Sequence, residues 1–416
     1  MPEPTIGPFA EDLKTLDETA VPLYMLQFDR DGALTSPHTL AHLVDRLAAG
    51  EFSDVLFVSH GWNNTFDDAR GLYDDLFVGV ESLRKRKQIA LADYRPVLVG
   101  VHWPSISLLF PGERGPTIAG GDDGIAAFAA ETADPERAAA LFRRTAATPE
   151  ERQELAELVA PVVDMPVAEL LDLWAGGAAT PPQPVRHGTS DWGEPDTGPD
   201  VAGSYFDPRW AHRVATVFQM KDRSRVVGAR GVAQALRAIA APGKARVHLA
   251  GHSFGCQVML AALSAEGAPT VESVLLMQPA VNVYALAATV PGRDVPGGYR
   301  AALTRSRQPI AATYTTRDKA LHMLFHRGVR RRGDLGELAP LPAGAFPKFG
   351  AIGGYGPQGL ADGEVASLVL DGSLPPLPEG DHRLVALEGT AVIDGHSDLS
   401  TDTIYWLLLQ HLMGAR

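Results

Sequence analysis

The five residues Gly251-His252-Ser253-Phe254-Gly255 carry the clearest chemistry in the chain. They match G-x-S-x-G, a pattern that works only where a strand turns sharply into a helix and leaves a serine hydroxyl at the tip. Both flanks suit it. The run ARVHLAGHS (245–253) has the apolar density of a buried strand, and CQVMLAAL after it is compatible with a helix. The glycines let neighbouring backbone come close. Ser253 is therefore the candidate nucleophile. A serine near neutral pH needs a base for its proton and donors for the oxyanion that its attack creates.

The donors are expected from two backbones. One is the amide of Phe254, just after the serine. The other is Gly61 or Trp62 in the loop Ser59-His60-Gly61-Trp62-Asn63-Asn64, which follows the strand-like run DVLFVSHG (54–61). Asn63 and Asn64 suit pinning of that loop, and His60 reads as a satisfied loop histidine rather than a base. The base is expected after a late strand. Among the 13 histidines, His396 alone follows the final strand-like run, HRLVALEGTAV (382–392), with a helical run behind it. The acid is expected at Asp318, at the end of PIAATYTT (309–316), giving the chain order Ser253, Asp318, His396 that goes with this motif. Asp394 and Asp398 compete, but they flank the histidine in sequence and are poorly placed to meet its ring edge.

The elements that must position these groups are legible as short apolar runs. Besides those named, they are PLYMLQFD (22–29), RPVLVGVHW (95–103) and VESVLLMQP (271–279). Most are apolar on both faces, as strands buried between two helical layers are. Helical periodicity fits 38–49, 65–87, 211–240, 254–265, 296–307, 319–326 and 400–413. The alternation predicts a doubly wound α/β fold with a mostly parallel sheet.

Two segments break the rhythm. Residues 110–210 contain a capping box at Thr148-Pro149-Glu150-Glu151 and apolar faces at Leu155, Leu158 and Val159 and at Leu170, Leu171 and Trp174. They read as a helical cap-like insertion on a catalytic core formed by 1–109 and 211–416. Trp103, Leu170 and Trp174 are then expected to line the substrate pocket. The second segment, 328–381, is rich in glycine and proline. It overlaps the basic run Arg327–Arg332, read as a solvated helix end with an anionic-group anchor as its rival. His322 and His326 have i, i+4 spacing, but no third ligand or H-E-x-x-H pattern accompanies them, so no metal is expected. No nucleotide fingerprint is present and no cofactor is expected.

The charge sum of −13 argues against non-specific nucleic-acid binding, which needs basic surface. The single cysteine, Cys256, excludes an internal disulfide and a cysteine-rich zinc site. No apolar run reaches the about 18 residues that a membrane span requires, and the first thirty residues show no leader pattern. The expected address is the cytoplasm, without stable membrane insertion.

With these residues in hand the chain resembles the α/β-hydrolase superfamily. More narrowly it is similar to bacterial hydrolases marked by a His-Gly-[Tyr/Trp]-Asn-Asn loop and an Asp-Ala-containing helix, here His60 to Asn64 and Asp67-Asp68-Ala69. A following strand in that group tends to end in Trp-Pro-Ser, here Trp103-Pro104-Ser105. The resemblance covers about 22–109 and 211–416. It implies an α/β-hydrolase fold and a Ser-His-Asp triad, and no particular substrate. It departs at the insertion, which precedes the nucleophile where the superfamily's usual cap follows it. The expected function is hydrolysis of a small-molecule or lipid-like carboxylic ester. An amidase or peptidase on the same triad, or a catalytically silent binding protein of the same fold, are the alternatives.

Overall fold

The structure, a computed structural model, describes residues 10–14, 20–105, 122–175, 206, 208–322 and 350–414. The nine strands among the described residues are β1 (Ala10–Lys14), β2 (Ala20–Gln27), β3 (Asp54–Ser59), β4 (Pro96–His102), β5 (Arg246–His252), β6 (Ser273–Met277), β7 (Ile310–Tyr314), β8 (Val365–Val369) and β9 (Leu384–Glu388). They form one sheet in the order β1-β2-β4-β3-β5-β6-β7-β9-β8. β1 pairs antiparallel with β2, and every other pair is parallel. The fold is thus α/β with a mostly parallel sheet.

The double apolar character of the strands has a direct cause. Successive side chains point to opposite faces of a sheet. In β3, Val55 and Phe57 enter one apolar layer and Leu56 and Val58 the other. The first layer is closed by α1 (Pro37–Ala49) and by α8 (Ala233–Ala240) and α9 (Phe254–Ser264). The second is closed by α2 (Phe66–Arg86) and the last helix, Asp402–Gly414. Both faces being covered, neither set can be polar.

This layering also sets where connections diverge at the sheet edge. β3 and β5 are neighbours, yet the helix after β3 lies on one face and the helix after β5 on the other. Two connections leaving adjacent strand ends in opposite directions open a gap at the carboxyl edge, where ligands bind in open α/β sheets.

Between β4 and β5 come α3 (Asp122–Ala129), α4 (Pro135–Phe142), α5 (Pro149–Val159) and α6 (Val167–Ala175), then α7 (Pro208–Val227). The capping box at Thr148 is formed, with the Glu151 amide donating to Thr148 Oγ1 at 3.3 Å and Thr148 N donating to Glu151 Oε2 at 3.0 Å. Pro161 and Pro166 separate α5 from α6. These helices build a third apolar cluster with the first half of α7, through Ala211, Val214, Ala215 and Phe218. The remaining half of α7 packs on the core, so one helix is shared by both parts.

Some elements differ from expectation. The single helix predicted over 211–240 is interrupted by a π turn at Gly228–Val232. The helix predicted over 296–307 is only a 3₁₀ turn, Arg300–Thr304. Here Arg305 O and Arg307 N both bond to Val271, which draws the chain out of helical geometry. β1, β8, α3 and α4 were not anticipated. The described part of 319–326 is helical, whereas His326, the Arg327–Arg332 run and much of 110–210 lie outside the described residues. Among the described residues no helix is long and apolar enough to cross a membrane.

Candidate active site

Ser253 stands at the end of β5 as the first flanking residue of α9, with φ 56° and ψ −123°. That conformation is strained for a residue with a Cβ. It is held by three backbone bonds. Ser253 N donates to Met277 O at 3.1 Å, and its carbonyl accepts from Cys256 N at 3.1 Å and Ala280 N at 3.2 Å. The glycine after the elbow is obligatory, because a Cβ on Gly255 would stand 2.2 Å from Ser59 O. Gly61 is equally constrained, since a Cβ there would lie 2.7 Å from Ser253 Cβ. The loop after β3 and the elbow after β5 are thus in direct contact.

Ser253 Oγ donates to His396 Nε2 at 2.8 Å, and His396 Nδ1 donates to Asp318 Oδ2 at 2.7 Å. The three residues, distant in sequence, form one continuous hydrogen-bonded relay. Asp318 is fully buried, and its other oxygen accepts from Leu321 N at 2.9 Å at the start of a helical turn. That amide helps satisfy a buried charge. Thr315, at the end of the β7 segment, donates from Oγ1 to Ile393 O at 3.0 Å and so ties the acid's segment to the histidine's loop. The two competing carboxylates point elsewhere. Asp394 is ion-paired with Arg317 on the surface, and Asp398 Oδ2 accepts from Asp394 N at 2.9 Å.

The loop after β3 is rigidified from both sides. Ser105 O accepts from Asn63 N at 3.0 Å, and Ser105 Oγ accepts from Asn64 N at 3.1 Å. Asn64 Nδ2 donates to Trp62 O at 2.9 Å, and Asn63 takes φ 64°. His60 is fully buried. Its Nδ1 donates to Gly61 O at 2.7 Å and its Nε2 accepts from Trp103 N at 3.3 Å. Burial, with His102 beside it, pushes its pKa down to about 3, so it is a neutral structural group. Its amide donates to the Tyr73 hydroxyl at 2.7 Å, which donates to Val101 O at 2.6 Å. Phe254 is buried and is the first residue of α9.

The three expected pocket-lining side chains are not at the relay. Trp103 is fully buried in the core, stacked on His60 with ring centroids 5.5 Å apart, and its indole N–H donates to His60 O at 3.2 Å. It supports the loop from behind. Leu170 and Trp174 are buried inside the helical cluster, Trp174 against Phe206 at 5.4 Å. Among the described residues of the helical unit, Leu170 and Trp174 are in its apolar interior, while Leu158, Leu171 and Leu173 are only partly buried.

The helical unit meets the core at a cleft of about 480 Å³ beside Pro104, between α3, α7 and the loop after β2. Across it Glu131 accepts from Arg223 at 2.9 Å and lies 3.5 Å from Arg30, while Arg223 also donates to Pro104 O at 2.9 Å. His322 lies edge-on to Tyr355 with centroids 4.3 Å apart. Among the described residues no three His, Cys, Asp or Glu are grouped to hold a metal ion.

One feature escaped sequence reasoning. His252, the variable residue before the serine, is buried and its Nε2 lies 2.8 Å from His396 O. A titratable residue at that position of the motif was the available signal. Comparison with protein-family models, with curated proteins and with solved structures found no match.

Proposed function

We propose that the protein is a serine hydrolase of the α/β-hydrolase type, cleaving carboxylic esters through an acyl-enzyme on Ser253. The observation that carries this reading is the unbroken relay from Ser253 Oγ through His396 to buried Asp318. The strained elbow and the switch-point crevice support it, as does a strand order compatible with that fold.

Ser253 Oγ attacks the ester carbonyl carbon as His396 Nε2 takes its proton. The oxygen becomes an oxyanion, received by the amide of Phe254 and that of Gly61 or Trp62. His396 then returns the proton to the departing alcohol, leaving the acyl group on Ser253. Water attacks the acyl carbon, His396 accepts its proton, and the acid is released with Ser253 restored. Asp318 holds the Nδ1–H tautomer and stabilises the imidazolium in both halves. Esters are favoured over amides because their leaving group demands less protonation.

A fluorophosphonate probe and a panel of p-nitrophenyl esters and anilides of rising acyl length test the reading. Wild-type protein is expected to be labelled at Ser253 and to turn over esters, with Ser253→Ala losing about 10⁴–10⁶ in rate at unchanged melting temperature. Anilide turnover exceeding ester turnover would make it an amidase. No labelling of wild type would leave a binding protein.

A further inference from the structure

His252 ends β5, one residue before the candidate nucleophile, and it is buried. Its ring makes a specific contact. Nε2 lies 2.8 Å from the carbonyl oxygen of His396. A carbonyl only accepts, so Nε2 carries the proton and donates. The two imidazoles lie with centroids 4.9 Å apart at an interplanar angle of 45°. The other ring nitrogen, Nδ1, stands 3.2 Å from where a Cβ on Gly61 would be. One side chain is thus wedged between the loop of Gly61 and the loop of His396.

The His396 loop needs such a tie. It runs from the end of β9 to the last helix and carries the relay's central group near its tip. Before the histidine it is tied at Ile393 O by Thr315 and at Asp394 by Arg317, and across the histidine Asp398 closes the loop on itself through Asp394 N. The His252 bond is made to the backbone of His396 itself.

We propose that His252 is a positioning residue: by donating Nε2–H to the His396 carbonyl it holds the His396 imidazole in line between Asp318 and Ser253. The effect on rate rests on the serine-hydrolase reading, whereas the tie does not. A misplacement of about 1 Å at a reacting group costs about 10²-fold in rate. Burial and the neighbouring His396 keep the His252 ring neutral, with its pKa lowered to about 3. The ring therefore adds no charge beside the imidazolium that forms on His396. Leucine fills similar space without a donor. Glutamine carries an amide N–H at about the reach of Nε2.

The experiment combines histidine-selective ¹⁵N NMR of the wild-type protein with kinetics of His252→Leu and His252→Gln, each checked by thermal melting. Expected are an Nε2–H tautomer for His252 and a single Nδ1–H tautomer for His396 in wild type. In His252→Leu, kcat falls by about 10²-fold with KM within about two-fold, and the His396 ring signals average between tautomers. His252→Gln restores most of kcat and the single tautomer, which a packing role would not predict. An Nδ1–H tautomer for His252 in wild type, or a His252→Leu variant with wild-type kcat and an unchanged His396 ring, overturns the proposal. If His252→Leu fails to fold, the wild-type tautomer and the His252→Gln variant decide. Absence of Ser253 labelling in wild type overturns the hydrolase reading alone. The tie is then judged by the His252 tautomer and by the His396 ring signals across the variants.

Discussion

The carboxyl edge of the sheet and the helical unit over 122–175 use buried side chains in opposite ways. At the sheet edge, buried polar groups bond across elements that are far apart in sequence. Ser253 reaches His396, His396 reaches Asp318, Thr315 reaches Ile393 and Ser105 holds Asn63 and Asn64. Positive φ is found there at Asn63, Ser253 and Gln278, and in the helical unit at Asp164. In the helical unit the interior is apolar, from Phe128 to Trp174, and the polar bonds of Thr148 and Asp134 are local helix caps. A buried polar network that must be fully satisfied specifies one geometry. An apolar cluster mainly supplies stability. The difference separates residues whose loss should cost rate from those whose loss should cost folding.

The sharpest break in that comparison is Asp318→Asn. The amide keeps the shape but favours the wrong tautomer of His396, so kcat should fall by about 10⁴-fold with the melting temperature little changed. Asp394→Asn and Asp398→Asn, whose carboxylates face the surface and the loop backbone, should stay within about ten-fold of wild type. Steady-state kinetics on one chromogenic ester checks all three. A crippled Asp394→Asn would move the acid away from Asp318.

Acid should unfold the core through its buried histidines. Burial lowers the pKa values of His60, His252 and His411 to about 3 and that of His102 to about 4. Unfolded histidine titrates near 6.5, so below that pH the unfolded chain binds more protons than the folded one. Stability is therefore complete above about pH 6.5 and falls as pH drops toward 4, by about 1.4 kcal/mol per pH unit for each such histidine. Asp54 is pulled below the ordinary carboxylate range. Burial alone would raise it, but bonds from His248, Arg246 and Ser53 outweigh that, so its share is lost only below about pH 4. Denaturant titrations from pH 7.5 to 4 check the slope. A flat profile down to pH 4.5 would mean these rings are charged when folded.

Trp174→Ala and Leu170→Ala probe the other half of the comparison. Both side chains are buried in the helical cluster, so each truncation should destabilise that unit, by about 3–5 kcal/mol for the tryptophan and 2–5 for the leucine. The order of preference among ester chain lengths should not change. A shifted acyl-length profile at unchanged melting temperature would return these residues to the substrate pocket.

How much was legible in the sequence follows the same division. The elbow showed itself because a buried strand, a strained serine and a helix must be adjacent in sequence, and Asp318 and His396 lie at predictable strand ends. The mostly parallel sheet showed itself because strands covered on both faces are apolar throughout. The edge strands did not. β1 reads Ala-Glu-Asp-Leu-Lys, which is no apolar run, and β8 leaves Val365 and Val369 exposed, as an edge strand with one partner can. The π turn and the truncated helix at Arg300 depend on packing and on bonds to Val271, which no local periodicity encodes. Trp103 is buried in the core and Leu170 and Trp174 in the helical cluster, surroundings that periodicity alone does not specify. An apolar face announces that it will be buried, but not against what.

The smallest expected effect sharpens the comparison most cleanly. Thr148 caps α5 on the surface of the helical unit, accepting from Glu151 N while Glu151 returns a bond to its amide. Thr148→Ala removes one side of that reciprocal pair and leaves an N-terminal amide to water, a loss of about 1 kcal/mol. Nothing in the bond reaches the sheet edge, so turnover per folded molecule should equal wild type while the melting temperature falls slightly. If the helical unit instead governs the site by its own stability, rate and melting temperature will fall together. Measuring kcat well below the transition, beside a thermal melt, separates the two, and a proportional loss of rate would show that cap and relay are coupled through α7.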